Sequence, residues 1–143
     1  MKQHLRTLAP VLLSLFFGVI GTVRANAQIT NEIRAHVNHS FMVGDKTLPA
    51  GDYTFRIESS YEIMIMQNKN GDNVAEFTVR ESVDNHTPKH SELVFRKYGN
   101  TEFLSKIYEI GSKDGVALTE SSKEESRLAN QGQHGMEHAE EQP

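Results

Sequence analysis

Apolar and polar positions alternate through most of the chain from Ile33 onward. Ile33, Ala35, Val37, His39, Phe41 and Val43 fall on one face at period two, and Arg34, His36, Asn38 and Ser40 fall on the other. That is the pattern of a half-buried strand. Leu48-Pro49-Ala50-Gly51 interrupts it with two turn residues, and Gly51 is expected there at positive φ. Tyr53, Phe55 and Ile57 then alternate with Thr54, Arg56 and Glu58, and Tyr61 to Met66 is a short apolar run. Asn70-Gly71, inside a polar stretch from Asn68 to Asn73, is the strongest hairpin signal in the chain. Ala75, Phe77 and Val79 follow in alternation with Glu76, Thr78 and Arg80. Further strands are read over Glu92–Tyr98 and Phe103–Ile110, separated by Gly99-Asn100.

One helix is predicted after the strands. Ser121 and Glu124 fit a capping box, in which the Ser oxygen accepts from the amide three residues on and the Glu reaches back. Thr119 is a rival cap. Only Leu128 and Ala129 offer apolar contacts, which places this helix on the surface. From Gln131 the chain is too polar to offset its ordering entropy, so residues 131–143 are expected as a disordered tail. The expected architecture is all-β: an antiparallel meander of about six or seven strands forming a small barrel or sandwich, with one C-terminal surface helix.

The N-terminus has a different pattern. Lys2 and Arg6 precede an apolar run from Leu12 to Ile20, and Ala25-Asn26-Ala27 is a small-x-small cleavage sequence. Residues 1–27 are therefore read as a secretory signal peptide, with the mature chain beginning at Gln28. The apolar run is short of the roughly twenty residues that a spanning helix needs. The expected organisation is a signal peptide over 1–27, one β domain with its helix over 28–130, and the polar tail. The expected location is exported, periplasmic or extracellular, with no membrane span after cleavage.

Charge and composition narrow the function classes. The 143 residues carry a formal net charge of −4, and loss of Lys2, Arg6 and Arg24 would take three positive charges from it, leaving −7. No clustered positive face exists for nucleic acid. Cys is absent, which excludes disulfides, thiolate nucleophiles and Cys-based zinc sites. An exported domain of this kind must then hold together through its core. Phe41, Tyr53, Phe55, Phe77, Val79, Leu93, Phe95, Phe103 and Ile107 are the candidate core.

Candidate chemistry is sparse. No Gly-x-Ser-x-Gly elbow or phosphate-cradling Gly-rich loop occurs. His36 and His39 lie on opposite faces of a strand and cannot chelate one ion together; His39, on the apolar face, reads as a satisfied core residue. His86 and His90 flank Pro88, which disfavours the helix that would pair them. His134 and His138 share i, i+4 spacing beside Met136 and Glu137, and a helical tail would let them take a divalent ion. The simpler reading is a solvated tail. Glu58, Glu76 and Glu92 alternate out from apolar partners and read as solvent-facing. No catalytic residue, metal ligand or cofactor is assigned, and the binding residues are unknown.

Two segments resemble a known group of proteins. Phe41-Met42-Val43-Gly44-Asp45-Lys46-Thr47-Leu48-Pro49-Ala50-Gly51-Asp52-Tyr53 is similar to the V-G-x-K-x-L-P-A-G-x-Y segment of small exported proteins from acidobacterial genomes. Leu93-Val94-Phe95-Arg96-Lys97-Tyr98-Gly99, with Phe103-Leu104, resembles that family's second signature. The resemblance spans roughly Ala35 to Leu128. His39 departs from the bulky apolar residue expected there. The resemblance implies a small exported all-β protein and carries no activity. The expected role is a non-enzymatic, binding or structural protein of the cell envelope, its partner an unknown envelope protein or a small ligand. A small-molecule carrier with a lipocalin-like barrel is the alternative, and an enzyme with a dispersed acid/base site is the second alternative.

Overall fold

A computed structural model describes residues 32–58, 63–131 and 135–143 of the chain; the signal-peptide reading lies outside them. Among the described residues ten strands and one helix follow in the order β1 (Glu32–Val37), β2 (Phe41–Val43), β3 (Lys46–Leu48), β4 (Gly51–Glu58), β5 (Ile63–Asn68), β6 (Asn73–Val83), β7 (Glu92–Tyr98), β8 (Thr101–Tyr108), β9 (Asp114–Leu118), α1 (Ser122–Gln131) and β10 (Met136–Glu141). The all-β class and the single helix near the C-terminus are as expected. More strands form than the meander required, because the first predicted strand breaks at Asn38–Ser40 and the short β3, β9 and β10 are added.

The sheet runs β1-β4-β5-β6-β9-β8-β2-β3, with β7 pairing β8 and β10. All pairings are antiparallel except a parallel one that sets Met42 against Phe103. The eleven-residue β6 belongs to both halves: Asn73–Thr78 pairs β5, and Val79–Val83 pairs β9. The sheet folds over at that strand. Its two halves enclose one core that includes Val37, Phe41, Tyr53, Phe55, Met64, Met66, Leu93, Phe95 and Ile107. The sheet does not close into a barrel. Of the candidate core residues only Phe77 is less than fully buried.

Two turn assignments differ in outcome. Gly71 has φ 85° in the β5–β6 hairpin, as its Asn-Gly sequence predicts. Gly51 instead opens β4 opposite Val37 and is absent from the positive-φ glycines. The left-handed position lies upstream at Gly44, φ 58°, where β2 turns into β3. Pro49 has no N–H to donate, so β3 ends at Leu48, and β4 starts after Ala50.

The tail is the largest correction. Met136–Glu141 is a strand paired residue for residue with β7, from Met136 opposite Lys97 to Glu141 opposite Glu92. Glu137 ties its outer face down: Lys106 Nζ donates at 2.8 Å, Ser105 Oγ at 3.3 Å and Arg96 Nε at 3.4 Å. Composition missed this because a strand completing an existing sheet edge gains backbone hydrogen bonds from its neighbour. It needs little apolar surface of its own.

Helix α1 starts as half of the predicted box. The Glu124 amide donates to Ser121 Oγ at 3.2 Å. The Glu124 side chain turns inward instead of back, and Leu128 packs against Met42, Tyr98 and Phe103. Asp45, from the β2–β3 turn, takes over the helix end by accepting from the Lys123 amide and from Ser122 Oγ, both at 3.1 Å. Those bonds hold the Asp45 carboxyl below its ordinary range, the Lys123 amide contributing most.

Candidate functional site

At one end of the folded sheet lies a cavity of about 470 Å3. Ile33 of β1, Met64 of β5, Ile107 of β8 and Val116 of β9 line it and belong to the buried core, so its floor is apolar. Ile57 and Val83 extend the apolar lining, and Val83 is 73% exposed. The rim is acidic and polar, with Glu81, Ser82, Glu109, Ser112 and Asp114. The folding-over at β6 builds this end. The second half of β6 carries Glu81 to Val83 away from β5 and onto β9, which leaves a mouth between the two halves. An apolar floor with an acidic rim suits a small, largely apolar molecule bearing a cationic or hydrogen-bond-donating end.

A second feature is a cluster of four side chains at the β10 edge. His39 Nε2 lies 2.6 Å from Glu102 Oε2, and His39 Nδ1 lies 3.4 Å from Glu140 Oε1. His138 Nε2 is 3.6 Å from Glu102 Oε2 and 3.8 Å from Glu140 Oε1. Lys97 Nζ donates to the other Glu102 oxygen at 2.9 Å. The sequence reading of His39 as a satisfied core residue is corrected here. Its side chain is 29% exposed, and its buried Nε2 has no hydrogen-bond partner among the described residues. It keeps the inward parity of the alternation, between exposed Asn38 and Ser40, and packs edge-on against Phe41 and Phe95 while its ring nitrogens face the two carboxylates.

His86 sits in a third cluster. Asp84 Oδ1 is 3.0 Å from its Nδ1, and Glu92 Oε1 is 3.4 Å from its Nε2. The hydrogen bond to Glu92 and the charge of Asp84 raise the imidazole above its ordinary 6.5. At Asp84 burial opposes ionisation, but the backbone amides of His86 and Asn85 outweigh it and lower the carboxyl. Glu92 is 4% exposed and not solvent-facing as its alternation predicted. The added strand β10 covers it by placing Glu141 opposite.

Arg96 anchors a fourth group. Its Nη1 donates to Glu124 Oε1 at 2.6 Å and to Glu120 Oε1 at 2.8 Å, and Tyr98 Oη donates to Glu124 Oε1 at 3.3 Å. Burial raises the Glu124 carboxyl despite Arg96. At Arg96 burial is outweighed by the Glu124 and Glu120 charges, so the guanidinium stays charged. This group fastens α1 to β7.

The other histidines disperse. His36 is exposed, with Nδ1 2.6 Å from Asp52 Oδ1, on the face opposite to His39 as read. His134 lies outside the described residues. His138 is in a strand, so the helical pairing of those two does not occur at its end. Glu58 and Glu76 are exposed, as their alternation predicts. The signal that would have found the four-residue cluster is a period-two row, His138 and Glu140 on β10 and Gln142 just after it, the first two facing the same way as Phe95 and Leu93.

No family model, no curated protein and no solved structure matches the chain. Among the described residues no helix is long and apolar enough to cross a membrane.

Proposed function

We propose that the chain is an exported, non-enzymatic binding protein of the cell envelope, and that it holds a small, mainly apolar ligand in the cavity between Ile33, Met64, Ile107 and Val116. The observation that carries this reading is the combination of an apolar floor with an acidic rim at Glu81, Glu109 and Asp114. The three-part N-terminal sequence supports export. The cavity favours a carrier role over a purely structural one, with the open fold of the sheet in place of a lipocalin-like barrel. An enzymatic role has the least support, since the sequence contains no nucleophile motif.

The test has two arms. Protein produced with its own leader is recovered from the periplasm or medium, and its N-terminus is sequenced; Gln28 is the expected first residue. The recovered protein is then titrated with a neutral apolar dye, N-phenyl-1-naphthylamine, and displaced with long-chain alkylamines and alkylcarboxylates. Dye uptake lost in Ile57→Trp, and displacement by the amines ahead of the carboxylates, is expected. Equal uptake by the variant would place the dye elsewhere and remove the assignment.

A further inference from the structure

We propose that His39, Glu102, His138 and Glu140 form a binding site for one divalent transition-metal ion, zinc foremost, which pins the C-terminal strand to the β1–β2 corner.

The chemistry of the donors comes first. Two imidazoles and two carboxylates make a nitrogen–oxygen set suited to borderline ions such as Zn2+. Ligand atoms around a tetrahedral zinc at ~2.1 Å stand ~3.4 Å from one another. His138 Nε2 stands near that spacing from Glu102 Oε2 and Glu140 Oε1, at 3.6 and 3.8 Å, and His39 Nε2 and Glu102 Oε2, at 2.6 Å, would part to admit the ion. The 3.4 Å contact to Glu140 is made by the other ring nitrogen of His39, Nδ1, and is not a spacing around the same ion. One donor atom from each of His39, Glu102 and Glu140 lies within 4.8 Å of the others, and His138 stands just outside that set, reaching it through Glu102 and Glu140. Among the described residues Lys97 is the one lysine or arginine paired with these carboxylates, and it takes Glu102 Oε1, leaving Oε2 turned toward the imidazoles.

A second observation is independent of the spacing. His39 Nε2 and Glu102 Oε2 are both buried and, among the described residues, neither has an aligned hydrogen-bond partner, although they stand 2.6 Å apart. Buried polar atoms are nearly always satisfied. Two orphaned atoms facing each other without hydrogen-bond alignment are what a shared cation would satisfy. Glu102 has a side chain only 13% exposed, so water cannot readily take that role.

The rings are also held in place. His138 stacks on Phe95 at 5.9 Å, and His39 meets the same ring edge-on at 5.1 Å. Phe95 is fully buried, so one rigid platform orients both imidazoles, which lowers the ordering cost of binding. His138 and Glu140 alternate on the same face of β10, the face that an edge strand would ordinarily fill with apolar residues. In a domain without Cys, an ion here joins three separate parts of the chain, the β1–β2 bend, β8 and β10, as a cross-link would.

The experiment uses tag-free protein, produced with its own leader and recovered as the cell processes it. After chelator treatment it is titrated with Zn2+ by calorimetry, and Co2+ is added in parallel to read ligand geometry from its visible absorption. One ion per chain is expected, with tetrahedral cobalt bands and slower amide exchange over 136–141. His39→Gln and His138→Gln should each weaken binding at least ~10-fold, and His86→Gln should leave it unchanged. His138 lies on an exposed edge, so its variant reads the site even where His39→Gln disturbs the fold. Absence of saturable uptake would overturn the proposal. So would unchanged affinity in both variants, or loss of binding in His86→Gln alone, which would move the ion to Asp84, His86 and Glu92.

Discussion

The Gln142 side-chain carbonyl accepts a hydrogen bond from the His36 backbone amide at 2.7 Å, across 106 positions of sequence. The contact joins the free edge of β1 to the end of the chain, and Gln142 is 3% exposed. Gln142 also donates its own backbone amide to Ser91 at 2.8 Å. Gln142→Ala would leave the His36 amide without that acceptor, and a loss of ~1–2 kcal/mol is expected in urea denaturation. An unchanged midpoint would show that solvent replaces the amide at no cost.

Removal of residues 135–143 should do more. It opens the whole β7 edge, strips Glu92 of its cover and removes Gln142. At ~4–8 °C per kcal/mol for a domain of this size, a fall in Tm of roughly 10 °C or more is expected. The bared edge carries Leu93-Val94-Phe95, so aggregation on heating should accompany the fall. A truncated chain that melts like the full one would mean that β10 is not docked in solution.

Core truncation should be costly both in the main core and where Phe103 packs with Met42 and Tyr98 under α1. Phe95→Ala and Phe103→Ala remove fully buried rings and are expected to cost ~3–5 kcal/mol each. His36→Ala, on an exposed strand face, should stay within ~0.5 kcal/mol. Thermal melts of the three variants decide the register, because a one-residue shift would reverse the ranking.

The glycines give a contrast. Gly44 sits at φ 58° with open space around its missing Cβ, so Gly44→Val is strained by backbone conformation alone. A loss of ~1–2 kcal/mol is expected. At Gly51 an added Cβ meets only the Tyr53 ring at 3.8 Å. Gly51→Ala should therefore be neutral or stabilising by ~0.4–1 kcal/mol. Equal effects in chemical denaturation would contradict the turn placement.

Stability should also change with pH in a way that can be assigned. His86 is raised above 6.5 in the folded chain. Its contribution is complete below the unfolded value and is lost as pH rises through the folded one. Melting temperature should thus carry an alkaline decline that His86→Gln lacks. On the acid side Asp45, Asp84 and Glu137 are depressed. Their contributions are present above ordinary carboxylate values and disappear as pH falls through the folded ones. At Glu137 burial opposes this, and Lys106 and Arg96 prevail. Glu124 is raised by burial and works in the opposite direction, gaining on acidification. A Tm profile in His86→Gln parallel to that of the parent from neutral to alkaline pH would refute the His86 assignment.

How much of this was legible in the sequence follows from where each residue's partners lie. Strands β1 and β4 announce themselves because their own alternation records which face is buried, and β7 and β8 because they are largely apolar runs, buried on both faces for most of their length. Strand β10 does not, because its core-facing row is His138, Glu140 and Gln142 and its stability comes from β7. Glu92 alternates like an exposed residue and is covered by a segment 49 positions later, Glu141. His39 has the right parity for the core and packs on Phe95, but its ring nitrogens meet Glu102 and Glu140 there. Local pattern cannot foresee that meeting, since Glu102 and Glu140 come from strands whose order in the sheet is set by the whole topology. The cavity is hidden for the same reason. Its residues look like core in the sequence, and the mouth exists only because β6 changes partners halfway.

That change of partners also governs how errors spread. A slip of one residue in β6 would misalign Ile63–Gln67 on one side and Asp114–Leu118 on the other at once. Neither half of the protein can therefore settle on a wrong alignment alone. The strand works as a single ruler read by both halves, which predicts one concerted unfolding event for the molecule and leaves no route for half of it to peel away intact.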